Sequence, residues 1–442
     1  MLIVNPYIYD SAAYDFWLKP LGLLYVASIL QKRDIEVEMI DLLDRYDESI
    51  DNNKEKDYST GKFCTEVVDK PDILKFIPRD FKRYGMPVDI FREKLKNIRE
   101  IDAIFIGVTL TYWYYGGLKT VEIIREFFPE IPIFLGGIYT NIYKNHAVDV
   151  FSKFNVKVIS KIGIEAVNEF LDFFSMNKID NYNWFEMNDP AYNLYKSNLK
   201  YAVITTSLGC PYKCSYCVTP KMWRYQVRSN YMVIKNIENI LNIHNNIKDI
   251  VFFDDAFLLN KDLDDLLISL KSFNINFHLP NGIHAKIVNS RNSKLLKNAG
   301  FRVIKLGYET YDEENQKITG NKVNNADLIN AVECFKGAGM DLKDIGAYVL
   351  LNLPGQKIDE MYKAIDFCFK LGINPNINEF TFIPGTDEYK KLLFNEKYKL
   401  FLDPLLLNNT YIPYWYDEGL SIDEIKKFKN YLSAYKRKNA GG

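Results

Sequence analysis

Three cysteines packed into one short stretch constrain this chain more than any other feature. The segment reads Thr206-Ser-Leu-Gly-Cys210-Pro-Tyr-Lys-Cys214-Ser-Tyr-Cys217. A Cys-x3-Cys-x2-Cys loop can wrap three thiolates round one corner of a cubane. Three ligands for a four-iron cluster leave one iron open to a substrate or co-substrate. Gly209 and Pro211 suit a loop that must turn tightly there. Two plainer readings stand beside this one. Zinc in a structural site takes a fourth protein ligand, and the nearest histidine, His244, lies far downstream in a helical stretch. A redox-active Cys-x2-Cys would leave the third cysteine without a role. The chain has six cysteines in 442 residues, which is no disulfide scaffold. Cys334 and Cys368 fall on helical faces as small core residues.

The patterns on either side place this loop. Residues 1–175 alternate short apolar runs with helical periods. Strands are expected at Leu2–Val4, Ile35–Met39, Ala103–Val108, Ile131–Leu135 and Val156–Ile159, with helices from Pro20 to about Gln31 and from Ile164 to Phe174. Residues 48–100 are charged and irregular and read as an insertion. Such alternation implies a doubly wound parallel sheet. Residues 176–199 read as a linker. A second alternation fills 200–390, with strands near 201–207, 249–254, 275–280, 302–308, 345–351 and 377–383. That number and spacing suggests a partial (β/α)6 barrel of TIM type, with the cysteine loop just after its first strand, where such barrels carry their active sites. Residues 391–442 read as a C-terminal helical segment.

Composition excludes some classes. Lys+Arg total 56 and Asp+Glu 57, so no basic excess marks a nucleic-acid or membrane-surface binder. No apolar run reaches the ~18 residues of a spanning helix, and the first ten residues lack the basic start of a signal peptide. The expected localisation is cytoplasmic.

The cysteine spacing, with Tyr216 before the last cysteine, resembles the radical S-adenosylmethionine superfamily. The resemblance continues through Arg228-Ser229, Phe252-Phe253-Asp254-Asp255-Ala256-Phe257, Pro280-Asn281-Gly282-Ile283-His284, Gly307-Tyr308-Glu309-Thr310, Leu353-Pro354-Gly355-Gln356 and Ile383-Pro384-Gly385-Thr386. Each falls at the C-terminal end of an expected strand, in order. It implies a [4Fe-4S] cluster on Cys210, Cys214 and Cys217, S-adenosylmethionine on the open iron, and generation of a 5′-deoxyadenosyl radical. It also implies an electron donor such as flavodoxin or ferredoxin, and a small-molecule substrate. By the same resemblance Asp254 or Asp255 takes the methionine amino group, Glu309 the ribose, Asn281 the ribose or carboxylate, and Tyr216 lies along the adenine. The plainer reading of Asp254-Asp255 is a helix N-cap, and that of Glu309 a strand-end cap or surface pair. His278 and His284 read as structural.

The first 175 residues resemble the cobalamin-binding Rossmann-like domain that precedes the barrel in one branch of that superfamily. The resemblance rests on Pro20-Leu-Gly-Leu-Leu, Gly136-Gly137 and Gly163-x-Glu165. It implies a corrin across the strand ends, with Gly136 and Gly137 allowing close approach and Thr109 meeting the nucleotide tail. The Asp-x-His-x-x-Gly motif is absent, so cobalt is expected to carry no protein histidine. Tyr112-Trp113-Tyr114-Tyr115 either lines the corrin pocket or fills it. The expected activity is cobalamin-dependent methyl transfer to an unactivated carbon. The alternatives are a radical ring-forming or C–C or C–S bond-forming enzyme with a vestigial cobalamin domain, and an iron–sulfur or cobalamin sensor without catalysis.

Overall fold

The computed structural model describes residues 1–51, 55–180, 182–318 and 320–439. They divide into two compact units, Met1–Ile204 with Tyr231–Ile250, and Thr205–Asn230 with Val251–Gly442. Among the described residues no helix is long and apolar enough to cross a membrane.

The first unit is built on a five-stranded parallel sheet. Its order is Glu38–Asp41, Leu2–Asn5, Ile104–Gly107, Ile133–Gly136, Val156–Val158. The three central strands read LIVN, IFIG and IFLG and are buried almost throughout. Unbroken apolar runs of this kind suit strands covered on both faces. The order reverses between Leu2–Asn5 and Ile104–Gly107, which makes that gap the topological switch point. A small cleft, about 30 Å³ open to water, lies there among Asn5, Pro6, Lys19, Gly107, Thr109 and Trp113.

Three features depart from the sequence reading. The strand expected at Ile35–Met39 runs from Glu38 to Asp41, because Leu2–Asn5 pairs with those four residues in register. The irregular stretch 48–100 holds two strands, Thr65–Val68 and Phe81–Tyr84, which form an antiparallel sheet with Ile8–Asp10. It also holds the helix Val88–Lys96. Residues 176–199 contribute the short helix Trp184–Met187 and bury Phe185, Tyr192, Tyr195 and Leu199 in the first unit.

The second sheet follows chain order: Tyr201–Ile204, Asp249–Phe252, Asn276–His284, Phe301–Glu309, Ile345–Leu351, Asn374–Glu379. Its last four strands pair in parallel. The pairing leaves the first and last strands as edges, so the sheet is open. Five of the six expected strands lie where the sequence placed them; the sixth, expected at 377–383, runs from Asn374 to Glu379, in register with Gly346–Leu351. Between them lie helices such as Ser290–Ala299, held by a capping box of Asn289 and Asn292 and ended by left-handed Gly300. Helices Asp387–Phe394 and Ile422–Asn439 occupy the C-terminal segment, whose last three residues, 440–442, lie outside the described residues.

A buried ion cluster braces the first unit. Lys19 Nζ lies 3.2 Å from Asp44 and 3.9 Å from Asp41, with side chains no more than 5% exposed. Asp41 also accepts from Asn5 at 2.6 Å and the Tyr195 hydroxyl at 2.5 Å. Asp44 accepts from the Ser197 hydroxyl at 2.5 Å. Burial pushes the Asp41 carboxyl up, against the pull of Lys19. Removing one partner of such a cluster strands buried charge. Lys19→Met is therefore expected to lower the unfolding free energy by about 3–5 kcal/mol. A loss under about 1 kcal/mol in chemical denaturation would show that the cluster is not needed.

Candidate active site

The cysteine loop starts where the strand Tyr201–Ile204 ends, and one carboxylate holds its start. Asp254 accepts from the Thr206 amide at 3.0 Å, the Thr206 hydroxyl at 2.6 Å and the Ser207 hydroxyl at 2.7 Å. It is buried, and burial raises its pKa while these donors lower it. Its oxygens are thus committed to the loop, the position given in the sequence reading either to the methionine amino group or to a helix cap. Gly209 then turns the chain at φ +77°, where a Cβ would sit 2.8 Å from the Trp223 carbonyl. The Cys217 amide closes a turn on the Cys214 carbonyl at 3.0 Å.

Cys210, Cys214 and Cys217 are each partly exposed. Burial pushes the Cys210 thiol up to about 11, and Asp255 and the other two thiols add to the rise. Burial also raises Cys214, against the pull of Lys322. The three sulfurs thus lie near enough to repel one another as thiolates. Any metal that binds must displace their protons. Among the described residues no three Cys, His, Asp or Glu side chains converge closely enough to hold a single metal ion. Three thiols without an assigned fourth protein ligand are the donor set of a four-iron cluster that keeps one iron open. Gly320, at φ +119°, brings its backbone against Cys214: a Cβ there would lie 3.1 Å from the sulfur.

Asp255 differs from its neighbour. It is open to solvent yet set in a recess of dense protein, which, with Asp254, pushes its carboxyl up to about 6. Glu309 ends the strand Phe301–Glu309 at φ +71°, just after a register shift against the next strand. It accepts from Lys322 Nζ at 2.7 Å, with side chains 11% and 14% exposed. Lys322 also lies 5.8 Å from the centre of the Tyr216 ring. Burial alone would lower the Lys322 pKa, but Glu309, Tyr216 and Cys214 hold it well above the usual value. Glu309 is thus in a buried ion pair rather than a surface one. Asn281 is half-buried on the strand Asn276–His284, where the register also shifts.

Sequence reasoning missed two groups. Lys322 follows no motif; only its pairing with Glu309 reveals it. His284, read as structural, stacks on Tyr212 at 4.5 Å and places Nε2 3.8 Å from Cys210 Sγ. Burial lowers its pKa to about 4, so the ring is neutral.

In the first unit the glycine reading changes. A Cβ on Gly136 would meet the Phe105 ring at 2.9 Å, and one on Gly137 the Val108 carbonyl at 2.3 Å. Both glycines are therefore required by the unit's own packing. Thr109 is exposed at the rim of the switch-point cleft. Trp113 donates to Asp10 at 3.0 Å, Tyr114 stacks on Tyr139, and Tyr115 packs on Tyr9 and Phe81.

A family model described as the radical SAM superfamily matches residues 204–368. That match spans the cysteine loop and the strands up to Ile345–Leu351. Radical SAM methyltransferase TsrM from Kitasatospora setae, solved with tryptophan substrate and a SAM analog, superposes with a TM-score of 0.63 at 15% identity, over 88% of this chain and 75% of that one. OxsB, a cobalamin-dependent S-adenosylmethionine radical enzyme solved with aqua-cobalamin and S-adenosylmethionine, gives 0.58 at 15% identity, over 99% and 61%. At that identity both likenesses show the fold. An uncharacterized methyltransferase of Pyrococcus horikoshii is 26% identical over 256 residues, 55% of this chain. The chain spans about half, 52%, of that relative's length.

The two adjacent aspartates have separable roles beside the cysteine loop. Asp254→Asn keeps volume but loses charge-assisted hydrogen bonds, and is expected to cost about 1.5–3 kcal/mol of stability. Asp255→Asn, which removes a carboxylate held at a raised pKa, is expected to be neutral or slightly stabilising at pH 7. Equal losses in the two variants would refute the assignment of Asp254 as the loop's anchor.

Proposed function

We propose that this chain is a radical S-adenosylmethionine enzyme that transfers a methyl group, with cobalamin as the methyl carrier, to an unactivated carbon of a small molecule. The observation that carries the reading is the cysteine loop, three thiols spaced Cys-x3-Cys-x2-Cys, on the carboxyl side of a six-stranded sheet. When bound, the cluster, S-adenosylmethionine and cobalamin supply one-electron cleavage, a hydrogen-abstracting radical and a transferable methyl group.

The chain's own residues have separable tasks. Cys210, Cys214 and Cys217 would hold the cluster, with Asp254 fixing where their loop begins. Asp255, accessible and held only by the Thr219 side chain just after the loop, is the carboxylate suited to a methionine ammonium. Lys322 engages Oε1 of Glu309, so a ribose would meet the other oxygen of that carboxylate. Tyr216 would flank the adenine, and Asn281 the ribose or carboxylate. Thr109 would meet the nucleotide tail at the first unit's switch point. The two histidines of that unit are engaged: His146 with the Tyr139 hydroxyl at 2.7 Å and His244 with the Tyr192 carbonyl at 2.9 Å. Without an Asp-x-His-x-x-Gly motif, cobalt would carry no protein histidine. A low-potential one-electron donor, such as flavodoxin or ferredoxin, would complete the system. A second reading, radical bond formation without a methyl carrier, draws on the small switch-point cleft and on the internal packing of Tyr114 and Tyr115.

Reduced, anaerobic protein given S-adenosylmethionine is expected to form both 5′-deoxyadenosine and S-adenosylhomocysteine, and to retain corrinoid. Changing all three cysteines to Ala is expected to abolish iron binding and deoxyadenosine together. Deoxyadenosine without S-adenosylhomocysteine or corrinoid would favour the second reading, and full iron in the triple variant would overturn the cluster site. The Asp255 role has its own pH signature. An ammonium needs the carboxylate form, so affinity for S-adenosylmethionine is expected to fall as pH drops through about 6. Asp255→Asn is expected to lose that dependence, and an unchanged pH profile in the variant would remove Asp255 from the binding set.

A further inference from the structure

His284 closes the strand Asn276–His284, where it lies opposite Gly307 of the next strand. Two contacts fix its ring. One face stacks on Tyr212, a residue of the cysteine loop itself, at 4.5 Å and 21°. Nε2 points at Cys210 Sγ, 3.8 Å away. The other ring nitrogen, Nδ1, is buried without a hydrogen-bond partner among the described residues. The chain's other histidines face oxygen or backbone nitrogen. His146 meets a tyrosine hydroxyl, His244 a carbonyl, and His278 accepts from the Val303 amide. Packing alone does not explain this aim. Any flat ring could stack on Tyr212, but only one with a polar edge gains from facing a sulfur.

The proton balance fixes what that edge does. While Cys210 is a thiol, either sulfur or nitrogen can supply the shared proton. A cysteine that ligates iron is a thiolate and can only accept. The imidazole must then carry its proton on Nε2, and Nδ1 is left as a lone pair. We propose that His284 is a positioning residue that donates an N–H···S hydrogen bond from Nε2 to Cys210 and so raises the reduction potential of the cluster held there. A donor to a cluster sulfur stabilises the added electron, and hydrogen bonds to the sulfurs are among the factors that set such potentials. In a poorly solvated site the effect grows, because little water competes. This proposal rests on the assignment of the cluster to the three cysteines.

The test uses the full chain, reconstituted anaerobically, with iron content measured for every sample. His284→Leu keeps an apolar side chain over Tyr212 and removes the donor. It is expected to retain full iron while the reduced-to-oxidised ratio at a fixed poise falls about tenfold, which is about 59 mV for a one-electron couple. His284→Gln, whose amide N–H can reach the sulfur, is expected to recover most of that loss. A second measurement needs no variant. Reduced wild-type protein labelled with 15N-histidine is expected to show a weak 15N coupling to the cluster in pulsed electron paramagnetic resonance. An unchanged potential in an iron-replete His284→Leu protein would overturn the proposal. So would a labelled wild-type spectrum without 15N coupling, or one with the strong coupling of a nitrogen bound to iron. If His284→Leu fails to fold or to hold iron, the labelled wild-type spectrum alone decides. Wild-type protein that takes up no iron would instead bring down the cluster assignment, and the proposal with it.

Discussion

A buried carboxylate sets where the cysteine loop begins. Asp254 gathers an amide and two hydroxyls from Thr206 and Ser207, four and three residues before Cys210. Backbone and side-chain donors on one acceptor fix the direction in which the chain leaves the strand Tyr201–Ile204. The left-handed turn at Gly209 then follows, and no other residue type fits against the Trp223 carbonyl. With the entry fixed, the turn from Cys214 to Cys217 closes the end of the loop. A loop free to wander would pay ordering entropy for each ligand in turn.

The electrostatics around those sulfurs are arranged from elsewhere in the sheet. Burial disfavours thiolates, and Cys210 feels it most clearly. Lys322 opposes this for Cys214, and it is itself held charged by Glu309. A lone buried ammonium would shed its proton; the pair keeps a cation beside a site that must become anionic. His284 offers a neutral donor on the other side, at Cys210. One strand end thus supplies a carboxylate, another an imidazole, and the loop after Glu309 an ammonium and a close-approaching glycine, Gly320. The open carboxyl edge of the sheet is where these contributions meet.

What the sequence revealed and what it hid follow from range. The cysteine triad is local, so its spacing is readable directly. The six strands of the second sheet are readable because apolar runs recur between helical periods. The short strands Thr65–Val68 and Phe81–Tyr84 escaped because neither has a period-two pattern: the first is exposed or half-buried throughout, the second buries only its two ends, and its partner Ile8–Asp10 lies far away in the chain. Gly136 and Gly137 were visible as unusual but not as packing glycines, since the atoms that exclude a Cβ come from Phe105 and Val108. His284 is 74 residues from Cys210, and no periodicity links them. The choice between Asp254 and Asp255 likewise could not be made from adjacency; only the donors on Thr206 and Ser207 separate them.

The central claim is that the three-thiol loop carries a cluster with one iron open to S-adenosylmethionine. Electron–nuclear double resonance on the reduced protein, with 15N in the amino group and 13C in the carboxylate of added S-adenosylmethionine, tests it most directly. The account predicts couplings from both labels to the cluster, as direct ligation requires. A well-formed, reduced cluster whose spectrum shows neither label would contradict it.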